Sequence, residues 1–599
     1  MSWIPPLLVA VPLLAAAVVV ATDHVLPRRV EDLIAIAAAA TTCALGVVLM
    51  LRSERGDVIH WFGGWNPRGG VAIGIDFVAD PLAAALAALV GGLVLVALVY
   101  SWAYLEEAAR LFDTLMLVCC GAMCGFALSG DLFNMFVWLE LMGVAAYALT
   151  GFEVKDIGPL QGAVNFAIVN GIGGYFVVIG IALAYARTGA LNLAQIGQAL
   201  TQSGSRGLVI VAMTLVVCGF LCKAAVVPFH LWLADAYAVA PAPVCAVFAG
   251  VMTDIGLLGV ARVYWTVFDG AFAADRAAVG DVLLSLGVAT ALLGGAMAFL
   301  QRHVKRMLAY SVVCHVGIML AGIGLLASEG LAGAADVLLA HGLLAAGLFL
   351  TTGIVIALFR SVDELQLLGR ARGRPLLAAL WFGAALGLAG PPYVGLFVGH
   401  SLIDDAASAT GRTWLPPLLW IAGALASASL LRAGARMFLG LGARRDRLLA
   451  PEMKERPPAR GTRLSVLAPV TALVVVLGLV VSVVPGLPQR TEAAAERFRD
   501  RPAYASFVLH GSPAVHGPRA AFALEPASLE SILYGFGATM LALALAGWGL
   551  YRPELGGSRV LQPPARALKA VHSGVIGDYV MWLTVGTALV GGIWAVTLR

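Results

Sequence analysis

The sequence is poor in charged residues and lacks the short motifs that mark most energy-converting sites. Only 12% of its 599 residues are charged, against roughly 25% in a soluble domain. It contains no Walker loop, no paired CxxC set and no haem or flavin fingerprint. Its net charge of +4 gives no reason to invoke a nucleic acid. A self-sufficient soluble enzyme and a nucleic-acid-binding protein are therefore disfavoured, and we expect no cofactor.

The cysteine pattern does not indicate a metal site. The eight cysteines lie in or beside apolar runs, and Cys218 and Cys222 are one helical turn apart. Two thiolates at this spacing are compatible with a metal, but small apolar side chains that pack inside a bundle explain them better. We predict no bound metal.

Long apolar runs are what the chain has in abundance. Hydrophobic residues make up 60% of it, and the mean hydropathy is +0.90. Runs of about 18–25 residues match a hydrocarbon core of about 30 Å, and lipid leaves helices as the economical way to pair the backbone. We predict an all-α polytopic membrane bundle of about 16 helices, with a retained first helix, over residues 3–21, 30–50, 80–103, 112–129, 131–151, 161–186, 207–229, 241–267, 280–300, 304–327, 333–358, 374–402, 414–440, 464–485, 528–550 and 577–597.

The loops alternate in positive charge, which predicts the orientation. Arg302, Lys305, Arg306 and Arg444 fall in loops that share one side, and the positive-inside rule makes that side cytoplasmic. Both termini then face outward. The Arg-rich stretch 486–527 lies outside in this scheme and is an exception to it. We expect a multi-pass protein of the bacterial inner (plasma) membrane.

Several ionisable residues fall within the apolar runs, where a charge is costly and usually functional. Glu140 and Lys223 are the deepest of them, and a static ion pair that fixes helix packing is the alternative to a relay role. Further titratable residues are spread over four later spans, where lateral proton conduction would need them. These are Asp254, His315, Asp336, His341, His400, Asp404 and Asp405.

Two spans are interrupted by proline in corresponding places. Pro228 follows Lys223 in the seventh span, and Pro391 and Pro392 interrupt the twelfth, about 160 residues later. Paired interrupted helices are typical of transporter folds built from repeats, whereas two ordinary proline kinks are the simpler interpretation. The spacing favours the repeat.

Four motifs, in order, resemble one known family. Gly63-Gly64-Trp65 precedes Asp80-Pro81-Leu82, and Asp131-Leu-Phe-Asn134 precedes Glu140. The most specific stretch is Lys223-Ala-Ala-Val-Val-Pro228-Phe-His230-Leu-Trp232-Leu-Ala-Asp235-Ala-Tyr237, and Val304-Lys305-Arg306-Met-Leu-Ala-Tyr310-Ser311 with His315 follows it. Over about residues 60–440 the chain resembles the antiporter-like superfamily, which contains complex I subunits L, M and N, Mrp-type antiporter subunits A and D, and hydrogenase homologues.

The resemblance implies a fold and a set of site residues. It implies two inverted five-helix repeats with broken seventh and twelfth helices, each forming a half-channel, joined by a charged row at mid-membrane. The expected divisions are N-terminal helices 1–111, repeats 112–267 and 280–440, and a C-terminal region 441–599. The expected proton relay is Glu140, Lys223, Asp254, His315, His341 and His400, with helix breaks at Pro228, Pro391 and Pro392.

Three positions depart from the family pattern. Asp254 stands where a lysine is usual, Ala345 occupies the lysine position after His341, and Gly399 occupies the charged position beside His400. The first half-channel is intact by motif, while the central and exit groups are rewritten. The last two helices lie beyond the common fourteen, and Lys569 to Tyr579 looks like a tail of hydrogenase-linked members.

Three functions remain open from the sequence. The leading one is a subunit of a multi-subunit Mrp-type complex that moves protons, exchanged for Na⁺ or another monovalent cation. The second is a proton-pumping subunit of a complex-I-like NADH/quinone oxidoreductase or membrane-bound hydrogenase. The third is a scaffold with a degenerate channel. In each, the chain carries no redox or hydrolytic site of its own, and its partners are other membrane subunits and the lipid bilayer.

Overall fold

The computed structural model describes residues 3–22, 24–105, 109–153, 156–201, 206–442, 455, 463–511, 527–551, 568, 572 and 574–598. Two short strands pair antiparallel, with Val58 opposite Ala79, and helices make up the rest of the regular structure in these ranges. The elements are α1 Ile4–Ala21, α2 Arg28–Ser53, β1 Val58–Trp61, β2 Asp76–Ala79, α3 Pro81–Tyr104, α4 Ala109–Leu128, α5 Leu132–Thr150, α6 Ile157–Thr188, α7 Leu193–Thr201, α8 Arg206–Lys223, α9 Leu231–Val239, α10 Ala242–Phe268, α11 Arg276–Leu300, α12 Val304–Gly324, α13 Ser328–Phe359, α14 Pro375–Ala389, α15 Phe397–Ala409, α16 Leu415–Leu439, α17 Leu464–Val483, α18 Leu487–Arg499, α19 Arg501–His510, α20 Leu529–Tyr551 and α21 Ile576–Thr597.

The predicted polytopic helix bundle is confirmed. Within the described ranges, fifteen helices are long and apolar enough to cross a membrane. The remaining predicted span, 374–402, is divided between α14 and α15, so the expected total of about 16 agrees with the structure. Five spans run from α4 to α10: α4, α5, α6, α8 with α9, and α10. Five more run from α11 to α16: α11, α12, α13, α14 with α15, and α16. The fourth span of each run is the one divided into two helices. The inversion of one run relative to the other stays a prediction, as do the four domain boundaries.

The first interruption separates α8 from α9 at residues 224–230. Pro228 has no N–H to continue a helical ladder, and Ala225 adopts a left-handed backbone with φ 56°. Free backbone groups in a membrane must find partners inside the protein. Here the Val227 N–H donates to the hydroxyl of Thr290 at 3.0 Å, and the Trp232 indole N–H donates to the Cys222 carbonyl at 3.1 Å.

The second interruption separates α14 from α15 at residues 390–396. Gly390 ends α14 with φ 70°, and Tyr393 is left-handed with φ 61°. Ser482 partners the free backbone here: its hydroxyl donates to the Gly395 carbonyl at 2.7 Å and accepts from the Val398 N–H at 3.3 Å. Each break therefore holds one strained non-glycine residue, of a kind that clusters at functional sites.

Small residues set the closest helix packing, between α11 and α12. A Cβ at Gly287 or Gly294 would overlap the backbone of α12, and a Cβ at Gly317 would overlap that of α11. Lipid supplies no hydrophobic drive between helices, so close backbone approach through small residues is what holds membrane helices together. This tightly packed pair adjoins the first break, because Thr290, which accepts from the Val227 N–H, lies on α11.

The described part of the Arg-rich stretch that was an exception to the charge pattern forms two helices. Helices α18 and α19 lie against the ends of other helices on the predicted outer side. Arg497 donates to the carbonyls of Ser53 and Glu54 at the end of α2, at 3.0 and 3.4 Å, and Arg490 pairs with the Glu54 carboxylate at 3.3 Å. A cation at a helix C-terminus is favourable, so these arginines are explained by local pairing.

Candidate functional site: a buried row of ionisable residues

Lys223 is the last residue of α8, and its side chain is only 3% exposed. Its ammonium nitrogen has no hydrogen-bond partner among the described residues. The ammonium lies over the ring of Phe166 at 5.3 Å, and that ring stacks on Trp232 at 4.1 Å between centroids. A cation over an aromatic face is stabilised by the ring quadrupole. Lys223 is thus held by aromatic rings at the edge of the first break.

Glu140 faces Lys223 from α5 without forming a closed ion pair. The Lys223 ammonium has no hydrogen-bond partner among the described residues, so it does not contact the Glu140 carboxylate directly, yet the two charges interact electrostatically. The Glu140 carboxylate lies directly against Gly174 of α6, where a Cβ would collide with it. The structure therefore places Glu140 and Lys223 in one site, and leaves a gap between them that a direct pair would have closed.

Asp254 lies in α10 immediately after a π-helical turn, Phe248–Met252. It is fully buried, and one carboxylate oxygen has no partner among the described residues. Its neighbours are the Thr253 hydroxyl, at 3.4 Å, and Tyr237. Among the described residues, the groups that interact electrostatically with Lys223 are Glu140, Cys119 and Cys222.

The helix that carries Asp254 also packs on the second half of the bundle. One turn before it, Gly250 packs backbone to backbone on Gly342 of α13. Gly342 adjoins His341, so the backbones of α10 and α13 are in close contact beside this histidine, as small residues allow. A π-helical turn shifts the register of the side chains that follow it and is frequent at functional sites. The helix that carries Asp254 therefore packs on both halves: Gly256 lies against Ala224 at the first break, and Gly250 lies against Gly342. The part of Asp254 in a relay stays a prediction.

His315 and His341 form a stacked pair in the second half. Their ring centroids are 4.7 Å apart with an interplanar angle of 27°. His315 Nδ1 donates to the Ser311 carbonyl at 2.7 Å, since a carbonyl only accepts. Both ring nitrogens of His341 have no hydrogen-bond partner among the described residues. The pair therefore contains an imidazole that can bind water or a proton.

His400 continues the row beyond the second break. Its ring packs on Trp420 with centroids 4.4 Å apart, and it interacts electrostatically with His315. Asp404 lies one turn later on α15, and its carboxylate accepts from the Trp420 indole N–H at 2.9 Å and the Ser531 hydroxyl at 3.3 Å. Trp420 therefore lies between an imidazole and a carboxylate.

The rewritten positions have a packing explanation in one case. Gly399 lies against the backbone of Val337 and Gly333, and a Cβ there would overlap both. No longer side chain fits at this position, so the charged group usual in the family is replaced by its neighbour His400. Ala345 is buried at 3% exposure, and no feature of the structure explains the loss of a lysine there.

The sequence interpretation missed parts of this site. Asp404 was noted but left out of the relay, although the i, i+4 spacing from His400 puts both on one helix face. Phe166 and Trp420 had no sequence signal, because an aromatic residue in an apolar run is ordinary. Cys222 donates its thiol to the Val169 carbonyl at 3.4 Å, which agrees with its interpretation as a packing residue.

A cavity of about 830 Å³ adjoins the row on the predicted outer side. Asp336 of α13 is on its wall, is 2% exposed and accepts from the Thr491 hydroxyl at 3.2 Å. Its second oxygen has no partner among the described residues. Glu54 and Arg490 line the same cavity. Asp336 thus connects the helix that carries His341 with a space large enough for many water molecules.

The fold and this row define a class: a polytopic membrane protein with a buried line of ionisable groups that passes two broken helices. The family model described as NADH:quinone oxidoreductase/Mrp antiporter, TM, matches residues 129–426. The NADH-quinone oxidoreductase subunit N of Desulforudis audaxviator is 33% identical over 464 residues, which cover 74% of this chain and 89% of that protein. The chain belongs to the NADH:quinone oxidoreductase/Mrp antiporter transmembrane family, as the motifs predicted.

Antiporter subunits are also among its relatives. The D-type subunit of the Na(+)/H(+) antiporter of Bacillus subtilis is 27% identical over 433 residues, which cover 72% of this chain and 86% of that protein. A chain of the Mrp complex from Dietzia sp. DQ12-45-1b has the same fold, with a TM-score of 0.73 and 28% identity. The match covers 85% of this chain and 99% of that one. Together with the fifteen spans, these matches confirm a multi-pass protein of the plasma membrane.

Proposed function

We propose that this chain is an ion-translocating membrane subunit of a multi-subunit complex. Protons pass through two half-channels, and the buried row joins them. In the Mrp-type version the protons are exchanged for Na⁺ or another monovalent cation. The relatives are named as subunits of an antiporter and of a quinone oxidoreductase, and both names support a subunit that works with other membrane chains.

One observation carries the proposal: among the described residues, some buried charges form closed pairs, whereas residues of the row leave buried polar atoms without a partner. Paired charges such as Lys305 and Glu455, 2.6 Å apart and nearly unexposed, are fully satisfied and are best explained as structural. Lys223, Asp254 and His341 each leave buried polar atoms without a partner in the described structure. An unpaired buried polar group costs about 1–3 kcal/mol, and such residues within a membrane are by default functional.

The order of the groups supports a path through the bundle. Glu140 and Lys223 lie at the first break, Asp254 follows at the contact between the two halves, and the histidine pair comes next. His400 lies at the second break. Imidazoles and carboxylates replace the lysines of the family pattern, and both types exchange protons readily. Unpaired buried ionisable groups on successive helices argue against the degenerate scaffold, which would have no reason to keep them.

The runner-up is a proton-pumping subunit of a redox complex, and one observation favours it. The identity to the quinone oxidoreductase subunit N, 33%, exceeds the 27% identity to the Bacillus subtilis antiporter protein. In either version the redox chemistry is carried by partner chains. Copurification from the native membrane followed by mass spectrometry separates the two, because iron–sulfur subunits would accompany only the redox version.

The decisive experiment on the shared proposal is Lys223→Ala. We expect proton flux in inverted vesicles to be lost while the complex still assembles, because Lys223 forms no closed ion pair and its neighbour Glu140 is only half-buried. Lys305→Ala is the matched control: it strands the buried Glu455, so it should lower the amount of assembled complex. Wild-type flux in assembled Lys223→Ala complex would remove Lys223 from any relay and refute the proposal.

A further inference from the structure

The C-terminal helix α21 docks directly on the first break. Gly586 of α21 lies against the ring of Pro228 and against Phe229, and a Cβ at this glycine would overlap the proline ring. Farther along, Gly591 lies against Thr214 of α8. The helix thus covers the interrupted backbone between α8 and α9, and only a glycine at 586 allows so close an approach.

His572, which precedes α21, and Tyr579, in its first turn, both form hydrogen bonds close to the first break. His572 Nε2 lies 3.0 Å from His230 Nε2, and His230 is the last residue of the break. The Tyr579 hydroxyl donates to the Asp235 carboxylate at 2.7 Å. Asp235 also accepts from Arg306 at 2.9 Å. The C-terminal segment is therefore joined to α9 and α12 by hydrogen bonds at the predicted inner end of the first half.

The hydrogen bonds assign the proton position in neutral His572. His572 Nδ1 lies 2.7 Å from the Leu568 carbonyl, and a carbonyl can only accept, so Nδ1 carries the proton. A neutral imidazole has one N–H, so His572 Nε2 is an acceptor, and the His230 tautomer with its proton on Nε2 donates to it. The backbone of Pro228 also interacts with the His230 ring; proline offers only a carbonyl, so the tautomer with the proton on Nδ1 has a partner too. An added proton on His572 Nε2 would oppose that N–H, so His230 must then release the shared proton or change tautomer.

We propose that His572 completes the inner mouth of the first half-channel, where it passes protons between the inner aqueous phase and His230. This inference rests on the proposed function and adds a residue from outside the family motifs to it. His572 is only partly buried, whereas His230 is 3% exposed. The proton enters at His572 Nε2 as that ring becomes an imidazolium. It moves on when the shared N–H···N bond is reversed, and no bond other than N–H is made or broken.

The surroundings of His572 favour exchange rather than permanent charge. It is faced by His230 from the break, Arg306 and Tyr310 from α12, Asp235 from α9, and Tyr579 from α21. Burial lowers the pKa of His572 from its ordinary value; the Leu568 carbonyl and Asp235 act in the opposite direction, and Arg306 adds to the lowering. A proton that binds there is therefore readily released.

The test is proton flux in inverted vesicles, which expose the inner face, from a strain that carries each variant in place of the native chain. His572→Gln keeps a hydrogen-bond acceptor for His230 but cannot take up a proton. We expect it to lower flux about 3- to 10-fold, less than the roughly 100-fold or more that a general acid–base group contributes to a chemical step. In His572→Ala, added imidazole should restore at least half of the lost flux. His510→Ala, at an exposed histidine on the other side of the bundle, is the control and should match wild type.

The contrary outcomes are distinct. Wild-type flux in His572→Gln, or a loss in His572→Ala that imidazole does not relieve and that Tyr579→Phe reproduces, would mean that the segment only docks, and would overturn the inference. Lys223→Ala in the same vesicles separates the two proposals. If Lys223→Ala loses flux while His572→Gln does not, this inference alone fails; if Lys223→Ala keeps flux, the relay itself fails.

Discussion

The gap between Glu140 and Lys223 gives a quantitative prediction. Two unit charges 4 Å apart interact by about 4 kcal/mol at an effective dielectric constant of 20. Lys223 and Glu140 are not in direct contact, because the ammonium has no hydrogen-bond partner among the described residues, and Glu140 is only half-buried, so the interaction must be weaker. We expect a coupling free energy of about 1–2 kcal/mol, against the roughly 3–5 kcal/mol lost when one partner of a closed buried pair is removed.

A double-mutant cycle measures this coupling. Glu140→Gln, Lys223→Met and the double variant are purified, and their free energies of unfolding are compared with that of the wild type during SDS titration in mixed micelles. The coupling free energy is the part of the double variant's loss that the two single losses do not add up to. The pair Lys305 and Glu455, in contact at 2.6 Å, provides the matched cycle and should give the larger value.

Two results would refute the reasoning. Single losses that add within about 0.5 kcal/mol would show that the two charges do not interact. A coupling equal to that of Lys305 and Glu455 would show a closed ion pair, and the gap would then not exist in the membrane. The predicted intermediate value is the one that leaves Lys223 able to change partners during transport.

Three further predictions concern other positions. Asp254→Asn should change the pH dependence of flux, and Asp254→Lys should block it or change the ion preference, since a cation then stands at the contact of the two halves; wild-type rate, pH profile and cation dependence in both would remove Asp254 from the row. Gly399→Lys, which restores the charge usual in the family, should prevent assembly, because overpacking by even a few atoms costs about 1–3 kcal/mol; a stable, active complex would contradict the tight contact with Val337. Burial, with a smaller contribution from Asp80, raises the pKa of Asp57 from 3.8 to about 7, so the folded state prefers the protonated acid and stability falls as pH rises from about 4 through about 7. Asp57→Asn should therefore raise the thermal unfolding midpoint at pH 8 more than at pH 5, and an equal change at both pH values would show that burial does not act on Asp57.

The sequence by itself determined the class of fold and most members of the row. Apolar runs of membrane-crossing length admit helices and little else, because the backbone has no partner in lipid. Pro228 and the Pro391-Pro392 pair located both interruptions for the same reason: proline cannot continue a helical ladder. A charge in such a run is rare enough that Glu140, Lys223 and Asp254 stood out without any structure.

Which groups meet was decided only by tertiary structure. Only the structure shows that the helix of Asp254 packs on α13 through Gly250 and Gly342, because no local pattern specifies a contact between residues about 90 positions apart. The same holds for His572, which lies 342 residues from His230 and hydrogen-bonds to it. Sequence periodicity reports which face of a helix is apolar. In a membrane both the lipid and the protein core are apolar, so periodicity does not say which neighbour that face meets, and close packing of small residues makes the choice.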